Sequence, residues 1–456
     1  MVEFPAQSVF ELWAASPVEA VIAEPFCPAA QAQSIRYRIM SNTPVWPWDL
    51  SNPDLYDHGI PHEAFAALRD FPGLPWNPLP GEASDGFWAV GRHDEVALVS
   101  RETGLFSSAK GHIQLYTIDE DALEARASMI DMDPPAHTRL RRLVNPSFVP
   151  RAAQGFAEVA RARARACLDA LQSKGSGDWA AEVAKPIPIS IICDILGVPQ
   201  CDHELMVELT DQLVGATGGG TVDAGAYGNT TPLRLLPFNH PASHAIFEYA
   251  RRLGEERRRA PREDLVTQLV QARIDGEALT ESEFANFFRL LIFAGNETTR
   301  TAMSHLALQL VAFPAQFERV RANRELVASA VEEIVRYATP LYHFRRTATR
   351  DAELAGTPIR EGDKVVVWYA AANFDERVFP RPLDFDVARP RSPGHAAYGG
   401  GGPHICLGAH LARVEIAQLL EEILDRRLRL EIASPPRYVH SNFANGIAGL
   451  EVRVRS

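Results

Sequence analysis

The chain has 456 residues, 46% of them apolar, with 46 Lys+Arg against 58 Asp+Glu and a formal net charge of −12. Such a length exceeds the usual 50–250 residues of one domain, and the apolar fraction suffices for a large core. The acidic balance offers no electrostatic footprint for nucleic acid or an anionic membrane. Five cysteines, none in a CxxC pair, do not make a disulfide framework or a paired zinc site, and no signal-like or membrane-anchoring run opens the chain. These features predict a reduced, cytoplasmic protein with no membrane anchor and no nucleic-acid partner.

Residues 1–45 carry one short periodic piece, Val9, Phe10, Leu12 and Trp13, and read as an extension packed on a main body spanning 46–456. A helix is expected over 62–70, a strand over Phe87–Val90 and a helix over Glu95–Ser100. In Asp133-Pro-Pro-Ala-His137-Thr-Arg139-Leu-Arg141, two prolines start a helix that places His137 and Arg141 four apart on one face. A cationic face of this kind suits carboxylates of a cofactor, or simply solvent. From about 150 to 340 the pattern is largely helical. It is interrupted at 215–241, where glycines and prolines preclude a regular helix, so a lid or a plain surface loop is expected.

Thr280 and Glu283 form a capping box for a long helix running to Pro314, with Phe284, Phe287, Leu291, Ala294 and Thr298 on one face. Midway lies Ala294-Gly295-Asn296-Glu297-Thr298-Thr299. Gly295 weakens a helix interior by about 1 kcal/mol, and a carboxylate in an apolar helix costs more unless paired. Two unfavourable choices side by side mark a functional break. The glycine would admit a ligand to the backbone, the Thr298 hydroxyl could bond the carbonyl four residues back or a guest, and Glu297 could supply protons. Next, Glu333 and Arg336 lie three apart on a short helix ended by Pro340. Strands are expected in 343–354 and 364–369, with a turn at Glu361-Gly-Asp363. Last comes Tyr398-Gly-Gly-Gly-Gly-Pro-His404-Ile-Cys406-Leu-Gly408, followed by helical spacing at Leu411, Val414, Ile416, Leu419, Leu420 and Ile423. The glycines would let a flat group lie on the backbone, and a helix start would favour the Cys406 thiolate. Alone, this stretch suits either a haem thiolate or a buried cysteine after a turn.

In this combination and order, the four pieces resemble a cytochrome P450 of the soluble bacterial type, over roughly 50–456. The resemblance implies a mostly α fold with small β-sheets (α+β), a triangular prism with haem b between a long central helix and the helix after the cysteine loop. Cys406 would be the axial thiolate and metal ligand, Ala294 and Gly295 would lie against the haem, and His137, Arg141, Arg346 and His404 would hold its propionates. Arg346 enters through Arg346-Thr-Ala-Thr349, which matches the family's strand after the Glu-x-x-Arg helix. Thr298 and Glu297 would be the catalytic alcohol–acid pair delivering protons to O₂. A ferredoxin and ferredoxin reductase would pass electrons from NAD(P)H, and the substrate would be a hydrophobic terpenoid, steroid or branched lipid. The pocket is expected from 215–245, Leu290–Thr298 and Leu341–Phe344, where Tyr342 and His343 are available to bond a polar group or to serve structure. A peroxide-driven oxygenase and a non-catalytic haem binder are the alternatives. The sequence departs from the family pattern twice. Gly399 stands where an aromatic is usual, with Tyr398 one position earlier, and Asp384 stands where a third charged partner of Glu333 and Arg336, an arginine, is expected.

Overall fold

The capping signal at Thr280 builds the longest element of the computed structural model, the central helix Glu281–Ala312. The Thr280 hydroxyl accepts from the Glu283 N–H at 3.1 Å and the Glu283 carboxylate accepts from the Thr280 N–H at 2.8 Å, satisfying donors that the first turn leaves free. The structure describes residues 46–79, 85–215, 232–274 and 276–455. Phe284, Phe287, Phe288, Leu291 and Ile292 bury one half of the central helix in the main core, and Ala302, Met303, Leu306 and Ala307 bury the other. Trp179, fully buried, donates its indole N–H to the Met303 carbonyl at 2.9 Å, fixing the helix lengthwise.

Around it pack Pro186–Leu196, His203–Gly215 and Pro241–Arg259, and also the cysteine helix Ala409–Asp425. The cysteine helix buries Leu411, Ile416, Leu419, Leu420 and Ile423, as the spacing predicts, while Val414 is only partly buried. A five-stranded sheet packs against the helices His62–Asp70 and His93–Arg101 in two further buried clusters. Its order is Trp76–Pro78, Gly86–Val90, Lys364–Trp368, His343–Ala348, Phe106–Ser107, antiparallel except where Lys364–Trp368 runs parallel to Gly86–Val90. A strand alternates its side chains between faces. Phe344 and Arg346 therefore share one side of their strand, and Arg345 takes the other.

The helix over His62–Asp70 has the expected bounds, and that over His93–Arg101 exceeds the expectation by two residues at its start and one at its end. Strand content in 343–354 is split into His343–Ala348 and Ala352–Leu354. The extension at 1–45 and most of the interruption at 215–241 lie outside the described residues. At its described end, Pro232–Leu235 and Pro237–Asn239 are short 3₁₀ turns leading into Pro241–Arg259. Among the described residues no helix is long and apolar enough to cross a membrane.

Candidate functional site

A cavity of about 1300 Å³, counting its open mouth, separates the central helix from the cysteine loop. One wall is Ala294, Gly295, Thr298, Thr299 and Ala302. The other is Tyr398, Gly399, the run His404–Gly408, Leu411 and Ala412. His137 and Arg141 close one side, and Phe344 and Tyr369 line it from the sheet region. Ala294 is exposed although its helix runs through the core, and Cys406 is likewise open although protein surrounds it. Both open into this void.

The loop reaches this position because four successive glycines, Gly399 to Gly402, take φ of 100°, 69°, 107° and 72°. L side chains rarely adopt such values. A Cβ on Gly402 would fall 2.2 Å from the Ser100 carbonyl, and one on Gly400 2.9 Å from the Ser100 hydroxyl. Gly400 and Gly402 thus let the loop press on the helix His93–Arg101, while Gly399 lines the cavity. Gly295 lines the cavity and also serves packing: a Cβ there would meet Ile192 at 2.9 Å, so it admits the neighbouring helix Pro186–Leu196 close to the central one.

The loop closes when the Cys406 N–H donates to the Tyr398 carbonyl at 2.8 Å. This contact returns the displaced aromatic to the cysteine, and Arg413 covers the Tyr398 ring at 4.3 Å. Burial pushes the Cys406 thiol up. The N–H groups of Gly408 and Ala409 and the guanidinium groups of Arg141 and Arg413 pull it back toward the thiolate. Arg141 also donates to the Pro403 carbonyl at 2.9 Å.

At the edge of the cavity, His137 stacks near His404 with ring centroids 4.2 Å apart. Burial and nearby arginines hold both rings neutral, His137 down to about 4 and His404 to about 3. His404 Nε2 is engaged with the Met132 carbonyl at 2.9 Å, whereas neither nitrogen of His137 has a partner. Arg346 does not line the cavity itself. Its field reaches both histidines, its Nε is unpartnered, and one NH donates to the Arg345 carbonyl at 2.8 Å. The Tyr369 hydroxyl beside it is buried and unpartnered as well. Orphaned donors are rare in a folded interior. A group of them beside an apolar slot that ends in a thiol fits a haem with two carboxylates. Tyr369 escaped the sequence reading because a tyrosine after a buried strand carries no local signal.

On the central helix, the Thr298 hydroxyl donates to the Ala294 carbonyl at 2.9 Å, one of the two bonds foreseen for it. Glu297 does not line this cavity but borders a second, adjoining one, and it is almost wholly buried. Arg300 pairs with it at 3.0 Å and with Asp211 at 2.6 Å, and Asp211 accepts from Lys185 at 2.9 Å. Burial lifts the Glu297 carboxyl to about 7 despite Arg300.

Two expectations are corrected. Tyr342 and His343 do not enter the cavity. The Tyr342 hydroxyl donates to Asn445 at 2.8 Å, His343 contacts the Asn442 carbonyl at 3.1 Å, and both are buried beside Trp368. The arginine absent at Asp384 is supplied by Arg389, whose Nε lies 3.2 and 3.1 Å from the two Glu333 oxygens. Arg336 grips the same carboxylate bidentately at 2.7 and 2.8 Å. The chain bends over 380–390, so Asp384 offers Arg389 only its backbone carbonyl, at 2.7 Å.

Beyond the central helix a second cavity of about 880 Å³ abuts the first, sharing Ile130, Leu290, Ala294, Thr298, Leu341 and Phe344. Leu213, Val214, Pro237, Phe238 and Phe293 add apolar lining.

Comparison with known proteins agrees with this geometry. The family described as Cytochrome P450 matches residues 41–440. A steroid C26-monooxygenase of Rhodococcus jostii is 36% identical over 89% of this chain and 84% of its own length. A methyl-branched lipid omega-hydroxylase of Mycobacterium bovis is 36% identical over 90% and 95%. Among solved structures, a Mycobacterium marinum cytochrome P450, CYP268A2, in complex with pseudoionone superposes with a TM-score of 0.80 at 35% identity, covering 91% of this chain and 100% of that one. The fold, the thiol-ended slot and this coverage together make the chain a member of the cytochrome P450 family, a haem-dependent monooxygenase.

Proposed function

We propose that this enzyme, a single haem-thiolate domain over 46–456, hydroxylates a C–H bond of a steroid or methyl-branched lipid in the cytoplasm. It would use O₂ and two electrons passed from NAD(P)H through a ferredoxin reductase and a ferredoxin. The relatives' substrates point to these two classes, and the apolar lining of both cavities suits them. The observation that carries the reading is the sharing of one cavity by Cys406 and Thr298, with unpartnered cationic and hydroxyl groups at its edge.

In this reading Cys406 ligates the iron of haem b, which when bound supplies reductive O₂ activation with the thiolate as electron donor. His137, Arg141, Arg346 and His404, joined by Tyr369, hold the propionates, and Ala294 and Gly295 form the wall above the haem plane. Thr298 presents its hydroxyl on that wall. Glu297, with its carboxyl near neutrality, releases and regains a proton, and the ion-paired chain Arg300–Asp211–Lys185 links it to the protein surface. Ile130, Leu290, Leu341 and Phe344 exclude water from the reacting carbon.

Cys406→His tests the ligand: the red-shifted Soret band of the reduced CO complex disappears, and its survival overturns the assignment. Incubation with a steroid ketone or a methyl-branched alkanol, reductant, ferredoxin partners and labelled O₂ yields a product carrying one labelled oxygen. Product formed at equal rate from peroxide alone, without reductant and carrying the peroxide's oxygen rather than the label of O₂, selects the peroxide-driven alternative.

A further inference from the structure

The second cavity ends in a buried polar cluster that none of the roles above uses. Arg126, Asp131, Asn286 and Arg289 line it, with His112 beside them, and each of the five is at most 9% exposed. Arg289 donates to Asn286 Oδ1 at 2.7 Å. Arg126 donates to the Arg234 carbonyl at 2.5 Å and to Asn239 Oδ1 at 2.6 Å, and its Nε is unpartnered. All of these acceptors are neutral. Among the described residues, neither arginine has a carboxylate within hydrogen-bond distance. Of the acids nearby, Asp131 leaves Oδ1 unpartnered, with His112 Nε2 no closer than 3.9 Å, Asp119 acts on Arg126 only at longer range, and Glu297 on the same cavity wall is paired with Arg300.

Burying two guanidinium groups with no paired anion is expensive. Their strain shows in their protonation: burial brings both arginines down to about 10, helped by repulsion from Arg234 at Arg126 and from Arg126 at Arg289. Burial raises Asp131 to about 7, so at neutral pH it is only partly charged, and His112, near 3, is neutral. The cluster therefore carries an uncompensated positive charge inside an apolar cavity. Arg289 interrupts the apolar run Phe287-Phe288-Arg289-Leu290-Leu291 on the central helix. It precedes Thr298 by nine residues, a separation of about 13 Å along the helix axis.

We infer that the Arg126–Arg289 cluster is an anchor for a carboxylate, so that the substrate is a hydrophobic acid held by its charged end while the carbon near Thr298 is oxidised. The inference rests on the oxygenase reading above, in which these cavities hold the substrate. A carboxylate would accept from both guanidinium groups, supplying the missing negative charge, while Asn286, whose amide N–H groups already go to the Ala125 and Ala127 carbonyls, holds Arg289 in place. A separation of about 13 Å matches the span of a medium-length acyl chain or a fused-ring skeleton with an acidic side chain. Oxidation then falls far from the carboxylate, toward the opposite end of the molecule.

The test compares matched pairs on the haem-loaded enzyme: dodecanoic, phytanic and cholanic acids, each against its methyl ester. Binding is read twice, from the haem spin-state change and from the thermal shift of unfolding, which does not depend on the haem spectrum. At least one acid binds about 10- to 100-fold more tightly than its ester, the range expected for charge-assisted hydrogen bonds. Arg289→Met and Arg126→Met erase this preference while leaving the ester's affinity near wild type, and Arg289→Lys retains most of it. Equal binding of acid and ester in every pair, or no binding by any of them, overturns the proposal. So does a preference that survives in both methionine variants. An intact Soret band of the reduced CO complex in the same samples keeps the oxygenase reading standing when the anchor fails. If the methionine variants do not fold, the wild-type pairs still decide.

Discussion

Replacing Arg389 by methionine separates two accounts of the charged cluster beneath the cysteine loop. In the structure Arg389 donates to both oxygens of Glu333, whose side chain is 1% exposed, and to the carbonyls of Pro380 and Asp384 at 3.0 and 2.7 Å. Arg389→Met removes all of these while keeping the stem's bulk. Loss of a charge-assisted hydrogen bond costs about 1.5–3 kcal/mol. An orphaned buried charge costs about 3–5 kcal/mol, but Arg336 still holds Glu333 bidentately, so the upper range is not reached. The expected loss is about 2–3 kcal/mol, or about 2–4 °C in the unfolding midpoint of a chain this long. Asp384→Ala is the control. Its carboxylate reaches only Arg381, at 3.3 Å, with both side chains largely exposed, so the change is expected within about 0.5 kcal/mol. Circular dichroism melts of the haem-loaded variants, followed in parallel by Soret absorbance, make the comparison. A silent Arg389→Met, or an Asp384→Ala as harmful as it, would refute the assignment of Arg389 as the third partner.

Other perturbations address the cavity. Thr298→Ala leaves the substrate-induced spin shift within about twofold and diverts consumed electrons to hydrogen peroxide; full coupling of reductant to product in that variant removes Thr298 from proton delivery. Glu297 carries its proton below about pH 7 and loses it above, with Arg300, Asp211 and Lys185 as the facing charges, so coupling declines as pH rises through about 7. Glu297→Gln is uniformly poorly coupled, and a wild-type pH dependence in that variant excludes Glu297. Because the folded value lies above the ordinary glutamate value of 4.5, the same group's stabilising contribution is full below about 4.5 and is lost as pH rises through about 7. Tyr369→Phe removes a buried hydroxyl with no partner in the protein, so haem transfer to apomyoglobin speeds up several-fold while the apoprotein melts at or slightly above wild type; an unchanged transfer rate drops Tyr369 from the propionate set.

The local rules that were legible in the sequence are those with short range. The capping box at Thr280, the helical spacing after Cys406 and the β-branched and aromatic run Lys364–Tyr369 each specify an element from within a dozen residues, and each formed there, the strand ending one residue early at Trp368 because Tyr369 starts a short helix. His137, Arg141, His404, Cys406, Ala294, Gly295 and Thr298 converge on one cavity, because each stands in a motif whose register fixes its direction. Long-range geometry was not legible. That Arg389 rather than a residue near Asp384 meets Glu333 depends on how 380–390 folds back, which no periodicity records. Tyr342 and His343 lie next to the cavity-lining Leu341 and Phe344, yet their hydrogen bonds to the 442–445 segment turn them into the sheet's other core. The packing contacts of the glycines were not legible. Positive φ at Gly399–Gly402, crowding of Gly400 and Gly402 against Ser100 and crowding of Gly295 against Ile192 require them, and those neighbours are about 300 and about 100 residues away in the chain.

One helix therefore carries three separate tasks along its length, and its rigidity makes them dependent on each other. Asn286 and Arg289 stand at the far end of the second cavity, Ala294 and Thr298 face the thiol, and Glu297 and Arg300 lead away to Asp211. With the helix capped at Thr280 and pinned by Trp179 at Met303, the distance between the polar cluster and Thr298 is set by backbone hydrogen bonds rather than by side-chain fit. A ligand gripped at one end is thus presented to the other at a fixed depth, and selectivity along it becomes a matter of length. Glu297, one residue before Thr298, borders the second cavity together with Leu290 and Ala294, so changes to that wall also reach the Glu297–Arg300–Asp211 chain. Arg289 lies about two and a half turns from Thr298, so its charge serves binding at the far end of the cavity, away from the reacting carbon.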